Sequence, residues 1–456
     1  MAEHDKTTRR FSYFVAAFRV TGIPLLMDRV SPLYWVYAAV ATVCCYASYS
    51  AQVVDLLKNT RDLERTMETA RVVAGAGMTV WIYGFLRFRI NSLERLLHLA
   101  ESFVWEDLPT TDPETGSMAA AGWIPRIESV TRRLINITLI FHFSYVIIKR
   151  AVSSKPQLSY NTWYPFDISS TIVFELVNIS QLLAALIYTL MLLGFNGLYA
   201  TLVCIACSQL QKLRANLLDI RQKQDTAEHP DPGAETGHEE RQKVHAFYHM
   251  QDQLNDCVRH HQQILSYIRA MEETFSPMMV VIFLLDLASL CLGSFSIVTS
   301  WGNYVQMSQG IVTYGLLLLV LAIYCWFGYE LSYQAENVRD AAWGCDWVGT
   351  PVSFQKSIRL IISSANKEFT LTAGKIVPVT ISTLVTMVNQ SVSYFMFLLE
   401  VKKNIEHTWE VIRLQMEATA SIMKGSCEHV GEAVVNDQQW VTVHLGVGRW
   451  YNNSSP

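Results

Sequence analysis

Two stretches limit what this chain can fold into more than any other feature. From Leu176 to Gln211 run 36 consecutive residues without Asp, Glu, Lys or Arg, and from Leu287 to Tyr329 another 43. As helices they would be about 54 and 65 Å long at 1.5 Å per residue, against roughly 30 Å of bilayer hydrocarbon. Only 17% of the 456 residues are charged and 51% are hydrophobic, where a soluble domain carries about 25% charge. The chain is therefore expected to use a lipid bilayer as its solvent. Five shorter apolar stretches, at residues 33–54, 68–86, 134–148, 275–300 and 376–399, join the long runs at 171–207 and 311–329. The fold class is all-α, a seven-transmembrane helical bundle. The second and third spans have only 15 strictly uncharged residues each, at 72–86 and 134–148. Flanking Arg71, Arg87, Arg133 and Lys149 are expected to snorkel toward the headgroups.

Lys and Arg in the connecting segments orient the bundle. With the N-terminus in the cytoplasm, the cytoplasmic segments hold 24 of them and the outer segments 11. A cytoplasmic N-terminus is the expectation, with the first span as targeting signal, since no cleavable leader pattern follows the N-terminal arginines. The chain divides into a cytoplasmic segment 1–32, the first six spans at 33–330, a cytoplasmic anchor helix with the last span at 331–401, and an extracellular tail at 402–456.

Between the fourth and fifth spans lies a segment, 208–273, read as cytoplasmic extensions of both helices. Its centre, 225–240, carries six acids, two prolines and no Lys or Arg, the composition of a mobile linker. After it, Phe247, Met250, Leu254, Cys257, His261, Ile264 and Ile268 fall 3 or 4 apart, one apolar stripe on a long helix. Upstream, Cys207, Leu210, Leu213, Leu217 and Ile220 form a second stripe, so the two extensions are expected to pack on each other or on another subunit.

Chemistry-bearing motifs are scarce. There is no GxxxxGK[ST] phosphate loop, no HExxH and no GxSxG elbow, and no cofactor or metal is expected. The nine cysteines give no disulfide framework, and Cys204-x-x-Cys207 reads as packing. His245 and His249 stand one turn apart on a polar helix, a solvated face. A net charge of −4 without a basic patch excludes nucleic acid as a partner. Asp286 is the one carboxylate well inside a span, which marks it as functional or as a hydrogen-bonded packing residue. No enzyme is indicated.

The last span has its own physics. Residues 352–363 alternate apolar and charged positions, residues 370–374 break the pattern, and 376–399 is rich in polar side chains. Thr380, Ser382, Thr386, Asn389, Gln390 and Ser393 are too polar for lipid and must face protein or water. Interhelical hydrogen bonding and the wall of a water-filled pore both satisfy that need.

Residues 329–401 carry the most specific pattern. It comprises Ser332, Val338, Ala341-Ala342-Trp343, Trp347, the amphipathic run 354–362, Lys367, Leu371-Thr372-Ala373-Gly374-Lys375 and Ser393-Tyr394. This segment resembles the C-terminal signature of the insect odorant receptors. The resemblance implies a subunit of a cation channel gated by small volatile odorants, assembled as a tetramer with a shared co-receptor subunit in the plasma membrane of a sensory-neuron dendrite. It implies a pore lined by the last helix, with Asn389, Gln390, Ser393, Phe397 and Glu400 at the pore and gate. There Phe397 would dewet a closed constriction and Glu400 would concentrate permeating cations. It implies an odorant pocket in the outer half of spans two to six. Trp81, Phe141, Tyr145, Phe174, Tyr188 and Tyr314 are candidate aromatic contacts, and Asn178, Gln181 and Ser294 candidate polar handles. The co-receptors of that family typically carry a valine and a glutamine where this chain has Phe397 and Glu400. The TYxxxxxQF ending of gustatory receptors is also absent, so a ligand-specific tuning subunit is expected. A homomeric gustatory channel and a metabotropic seven-helix receptor are the alternatives. The tail at 402–456, with an amphipathic stretch at 405–423 and two overlapping sequons at Asn452 and Asn453, departs from the family pattern.

Overall fold

The computed structural model describes residues 10–434, excluding 28, 60–62, 106, 107, 109, 111–117, 153–157, 161, 169, 221–235, 303 and 366–369. Of the expected linker 225–240, residues 225–235 lie outside the described residues, as do the sequons, while 236–240 are the start of a helix rather than linker. Seven of its helices are long and apolar enough to cross a membrane. Their order is α1 (Ser12–Val20), α2 (Pro32–Lys58), α3 (Leu63–Phe88), α4 (Ile90–Glu101), α5 (Ala120–Val152), α6 (Thr171–Asp219), α7 (Thr236–Thr299), α8 (Tyr304–Gly344) and α9 (Val352–Ala365). A two-residue hairpin follows, β1 (Thr372–Ala373) and β2 (Val377–Pro378), and then α10 (Ile381–Val434). Two compact units divide the chain, Met1–Phe395 and Met396–Pro456.

Local chemistry sets the helix starts. The backbone N–H of Tyr34 donates to the Ser31 hydroxyl, 3.2 Å, and Pro32 occupies the first turn of α2, where its missing N–H costs nothing. α6 is the central post of the first unit. Every residue from Leu193 to Leu210 is buried, because α1, α2, α3, α5, α7 and α8 all pack on it. A helix apolar all round is suited to that position. Gly197 permits the closest of these contacts, since a Cβ there would press on Phe14 and Thr131.

α6 and α7 both extend well past bilayer thickness. Along α7, Met250, Leu254, Cys257, His261, Ile264 and Ile268 are buried, and so are Leu210, Leu213 and Leu217 of α6. The two stripes meet within one chain, with α4, α8 and α9 also packed on α7. These extensions form the anchor end of the bundle. The opposite, loop end carries the connections after α2, α5 and α7.

The hairpin between α9 and α10 docks on α7. The Thr372 backbone N–H and hydroxyl both donate to the Glu272 carboxylate, the former at 3.0 Å. Gly374 N donates to the Ser276 carbonyl at 2.8 Å and Lys375 N to the Ser276 hydroxyl at 3.1 Å. The turn places Gly374 and Lys375 at positive φ, the region that favours glycine. Behind it, Val379 lies against α8 at Gly328. α10 extends through position 402 to Val434, a range that includes the amphipathic stretch at 405–423.

Candidate functional site

A cavity of about 200 Å³ lies near the loop end, enclosed by α2, α3, α5, α6 and α8. Part of its wall is aliphatic, with Val72, Ala185, Leu192, Leu193, Leu316 and Leu317. Polar side chains share the wall: Ser48 and Gln52 on α2, Arg71 and Thr79 on α3, Thr138 and His142 on α5, Gln181 and Thr189 on α6, and Gln309 and Thr313 on α8. Arg71 does not snorkel. It is only 4% exposed and its side chain forms part of this wall. Gln52 is 3% exposed, and its side-chain oxygen has no hydrogen-bond partner among the described residues. A buried amide oxygen left this way is costly.

A strap of loop residues lies at the loop end, with Tyr160 in the cavity wall. Ser159 donates to the Asn178 side-chain oxygen through both its backbone N–H and its hydroxyl, 3.1 and 3.0 Å. Tyr160 N donates to Gln181 Oε1 at 3.1 Å, and Gln181 Nε2 donates to the Thr162 hydroxyl at 2.8 Å. Lys149 donates to the carbonyls of Leu158 and Ser159. The Tyr160 ring stacks on His142 with centroids 5.5 Å apart, and its hydroxyl hydrogen-bonds the imidazole. Trp163 N donates to the Ala51 carbonyl while Lys58 sits over the Trp163 ring, 3.3 Å from its centroid.

The nine expected ligand contacts are distributed unevenly. Gln181 and Tyr188 line the cavity, and Tyr145 lines a small adjoining one with Ser159 and Lys149. Asn178 holds the strap. Trp81 donates to the Met278 carbonyl at 3.3 Å and is partly exposed. Phe141 and Phe174 are half-buried outside the lining. The Ser294 hydroxyl bonds the Leu290 carbonyl of its own helix, and Tyr314 packs against α7 at Gly293. Gln52, Thr79, Thr138, His142 and Thr189 are not singled out by the sequence, and Arg71 is read there as a snorkelling flank rather than a cavity residue. Their only signal there is polarity inside an apolar span. Asp286 is 1% exposed, and neither carboxylate oxygen has a hydrogen-bond partner among the described residues.

The second feature is one face of α10. Thr383, Met387 and Ser391 are buried, while Ser382, Thr386, Asn389, Gln390 and Ser393 are exposed. Spacings of 4, 3 and 4 put Ser382, Thr386, Asn389 and Ser393 on one side of the helix. The hydroxyls of Thr386 and Ser393 bond carbonyls of their own helix, at 2.8 and 3.1 Å. In the second unit, Phe397 and Glu400 follow at the same spacing and are both exposed.

A family model described as 7tm Odorant receptor matches residues 59–392. Odorant receptor Or2 of Anopheles gambiae is 23% identical over 235 residues, which is 51% of this chain and 58% of the relative. Odorant receptor 83a of Drosophila melanogaster is 23% identical over 247 residues, 47% of this chain and 54% of the relative. The matched part thus spans a little over half the length of these curated relatives. Among solved structures, the insect olfactory receptor OR5 from Machilis hrabei, in complex with eugenol, superposes with a TM-score of 0.66 at 14% identity. That match covers 88% of this chain and 100% of the other.

Proposed function

The chain belongs to the 7tm odorant receptor family, a family of receptors rather than enzymes, and from that premise we propose that it is the tuning subunit of an odorant-gated cation channel. The observation that carries this reading is the exposed polar face of α10. The Thr386 and Ser393 hydroxyls donate within the helix, but their exposed oxygens and the exposed Asn389 amide on the same side are unsuited to lipid, and a central water-filled path between subunits accommodates them. Four copies of this helix, some from the shared co-receptor, surround that path. Phe397 forms its dewetting constriction and Glu400 raises the local cation concentration.

In this reading the N-terminus and anchor end lie in the cytoplasm of a sensory neuron, and the strap faces outward. An odorant enters beneath the strap and fills the cavity between α2, α3, α5, α6 and α8. Contact with α8 at Leu316 and Leu317 then reaches the hairpin through Gly328 and Val379. The hairpin in turn sets the position of α10, whose Thr383 hydroxyl donates to the Pro378 carbonyl at 2.6 Å. Ligand gates the channel only by as much as it favours the open arrangement over the closed one.

The test is odorant-evoked current from cells expressing this chain alone, with the co-receptor, and with the co-receptor after Phe397→Ala. Current only in the paired cells, and raised basal leak in the variant, is the expected result. Current from the chain alone would instead indicate a homomeric channel. An N-terminal tag accessible from outside intact cells would overturn the orientation.

A further inference from the structure

We propose that the groove between the loop ends of α2 and α6 is a phospholipid site, which holds one acyl chain along its apolar wall with the phosphate at Lys58. The inference goes beyond the channel reading. It requires only that α2 and α6 cross a bilayer, for which both are long and apolar enough. The groove has a volume of about 640 Å³ and is lined by Ala51 and Val54 of α2, Leu176 and Val177 of α6, and Trp163 and Phe166 of the loop between α5 and α6. It shares no lining residue with the cavity of about 200 Å³, so the two are separate sites.

Position and chemistry decide the occupant. On α2 the groove runs from Val54 inward to Ala47, and on α6 from Val173 inward to Ser180. At 1.5 Å per residue its length is about 10 Å, against roughly 15 Å for the hydrocarbon of one leaflet. The groove therefore lies along the spans, at the depth of lipid tails, and Leu176 and Phe166 on its edge are exposed. An apolar hollow does not hold water, and left empty it forfeits the contacts of the atoms lining it. An acyl chain supplies them. The polar end of the occupant is set by Lys58, one turn beyond Val54 at the end of α2. Its ammonium sits 3.3 Å from the centroid of the Trp163 ring, which places the charge at the rim of the groove. An ammonium carries three donors, and Lys58 has no carboxylate partner among the described residues. The neighbouring acids are engaged elsewhere. Asp55 accepts from the Asn59 amide at 2.9 Å, and Glu175 is paired with Arg150. Trp is favoured at headgroup level, and the acceptor that a bilayer brings to that level is a phosphate oxygen.

The test uses the full chain in nanodiscs of phosphatidylcholine, with a trace of a photoreactive phosphatidylcholine carrying a diazirine in mid-chain. A diacylglycerol probe with the same chains and no phosphate serves as its match, and cross-linked positions are mapped by mass spectrometry. The phosphatidylcholine probe should label residues 47–54 and 173–180 above the outward face of α5, where Ile137, Ile140 and Ile147 are exposed. The diacylglycerol probe should label the groove about 2- to 5-fold less, the range of one exposed ion pair, and Lys58→Ala should bring the phosphatidylcholine probe down to that level. Ser180→Phe, which fills the groove, should abolish labelling there and leave that of α5 intact. Lys58→Ala changes an exposed side chain at a helix end, so it carries the test if Ser180→Phe fails to fold. Even labelling over α2, α5 and α6 would reduce the groove to ordinary bilayer contact and overturn the inference. Equal groove labelling by the two probes, or cross-links from the groove to a second copy of the chain in place of lipid, would also overturn it. None of these outcomes bears on whether the chain responds to odorants, which the current recordings test.

Discussion

Two glycines on α8 make a matched pair for testing how the segment entering α10 is held. At Gly328, a Cβ would lie 3.0 Å from Val379 Cγ1 and 3.1 Å from the Val379 carbonyl carbon, and closer still to its oxygen. That neighbour is backbone and cannot rotate away, so Gly328→Ala must push the segment entering α10 outward by about half an ångström or more. Overpacking of this kind costs about 1–3 kcal/mol. Ala gains about 0.5–1 kcal/mol over Gly in a helix interior, which leaves a net loss of about 1 kcal/mol at the middle of these ranges and about 2.5 kcal/mol at most. At Gly315, on the same helix, a Cβ meets nothing within 4 Å, so Gly315→Ala keeps the propensity gain and loses nothing. Thermal inactivation followed by fluorescence-detected size-exclusion should move down for Gly328→Ala and stay level or rise for Gly315→Ala. Val379 N also donates to the Leu371 carbonyl at 2.8 Å, so the displaced segment takes the hairpin with it. Basal current should change with the first variant and not with the second. Equal shifts in both variants would refute the close-approach argument. A lowered melt with normal basal and evoked currents would reduce the hairpin to packing.

Two further outcomes follow from individual side chains. Asp286→Leu should leave the melting temperature unchanged or raise it, by up to about 1–3 kcal/mol in stability, because a buried carboxylate without partners among the described residues is replaced by an apolar group of similar size; a clear fall would mean that the acid is satisfied in the working protein and that its orphaned oxygens mark a functional contact. Asn178→Ala removes the acceptor for both Ser159 donors, at about 1–2 kcal/mol of strap docking, so evoked currents should rise and decay faster with little change in the melt, and unchanged kinetics would mean that the strap does not control access.

The number and order of the spans were legible because membrane helices must satisfy their own backbone, which makes length and apolarity local properties of the sequence. The extensions of α6 and α7 were legible for a related reason: outside lipid, the 3- and 4-residue stripes at Leu210–Leu217 and Met250–Ile268 distinguish core from water. The cavity offered no such contrast. Within a bilayer both the lipid face and the core face are apolar, so the rotation of each helix is set by its neighbours, and polar residues such as Gln52, Thr79 and Thr189 read from sequence as helix–helix hydrogen bonds. Large aromatics drew attention instead, and Trp81, Phe141 and Phe174 lie elsewhere.

Arg71 illustrates the physical reason most sharply. Near a span end, a long cationic side chain has two solutions, reaching out to headgroups or turning in to polar protein, and they differ by the identity of groups on other helices. Here Gln52 of α2 and Gln309 of α8 line the same cavity as Arg71, and Arg71 is turned inward, away from solvent. The hairpin follows the same logic. Residues 370–374 declare only that a helix ends, while the groups that fix the turn, Glu272 and Ser276, are supplied by α7 about 100 residues earlier. What the chain encodes locally is the bilayer-spanning scaffold. The cavity and the docked hairpin depend on contacts between helices distant in sequence, and so emerge only once the bundle is assembled.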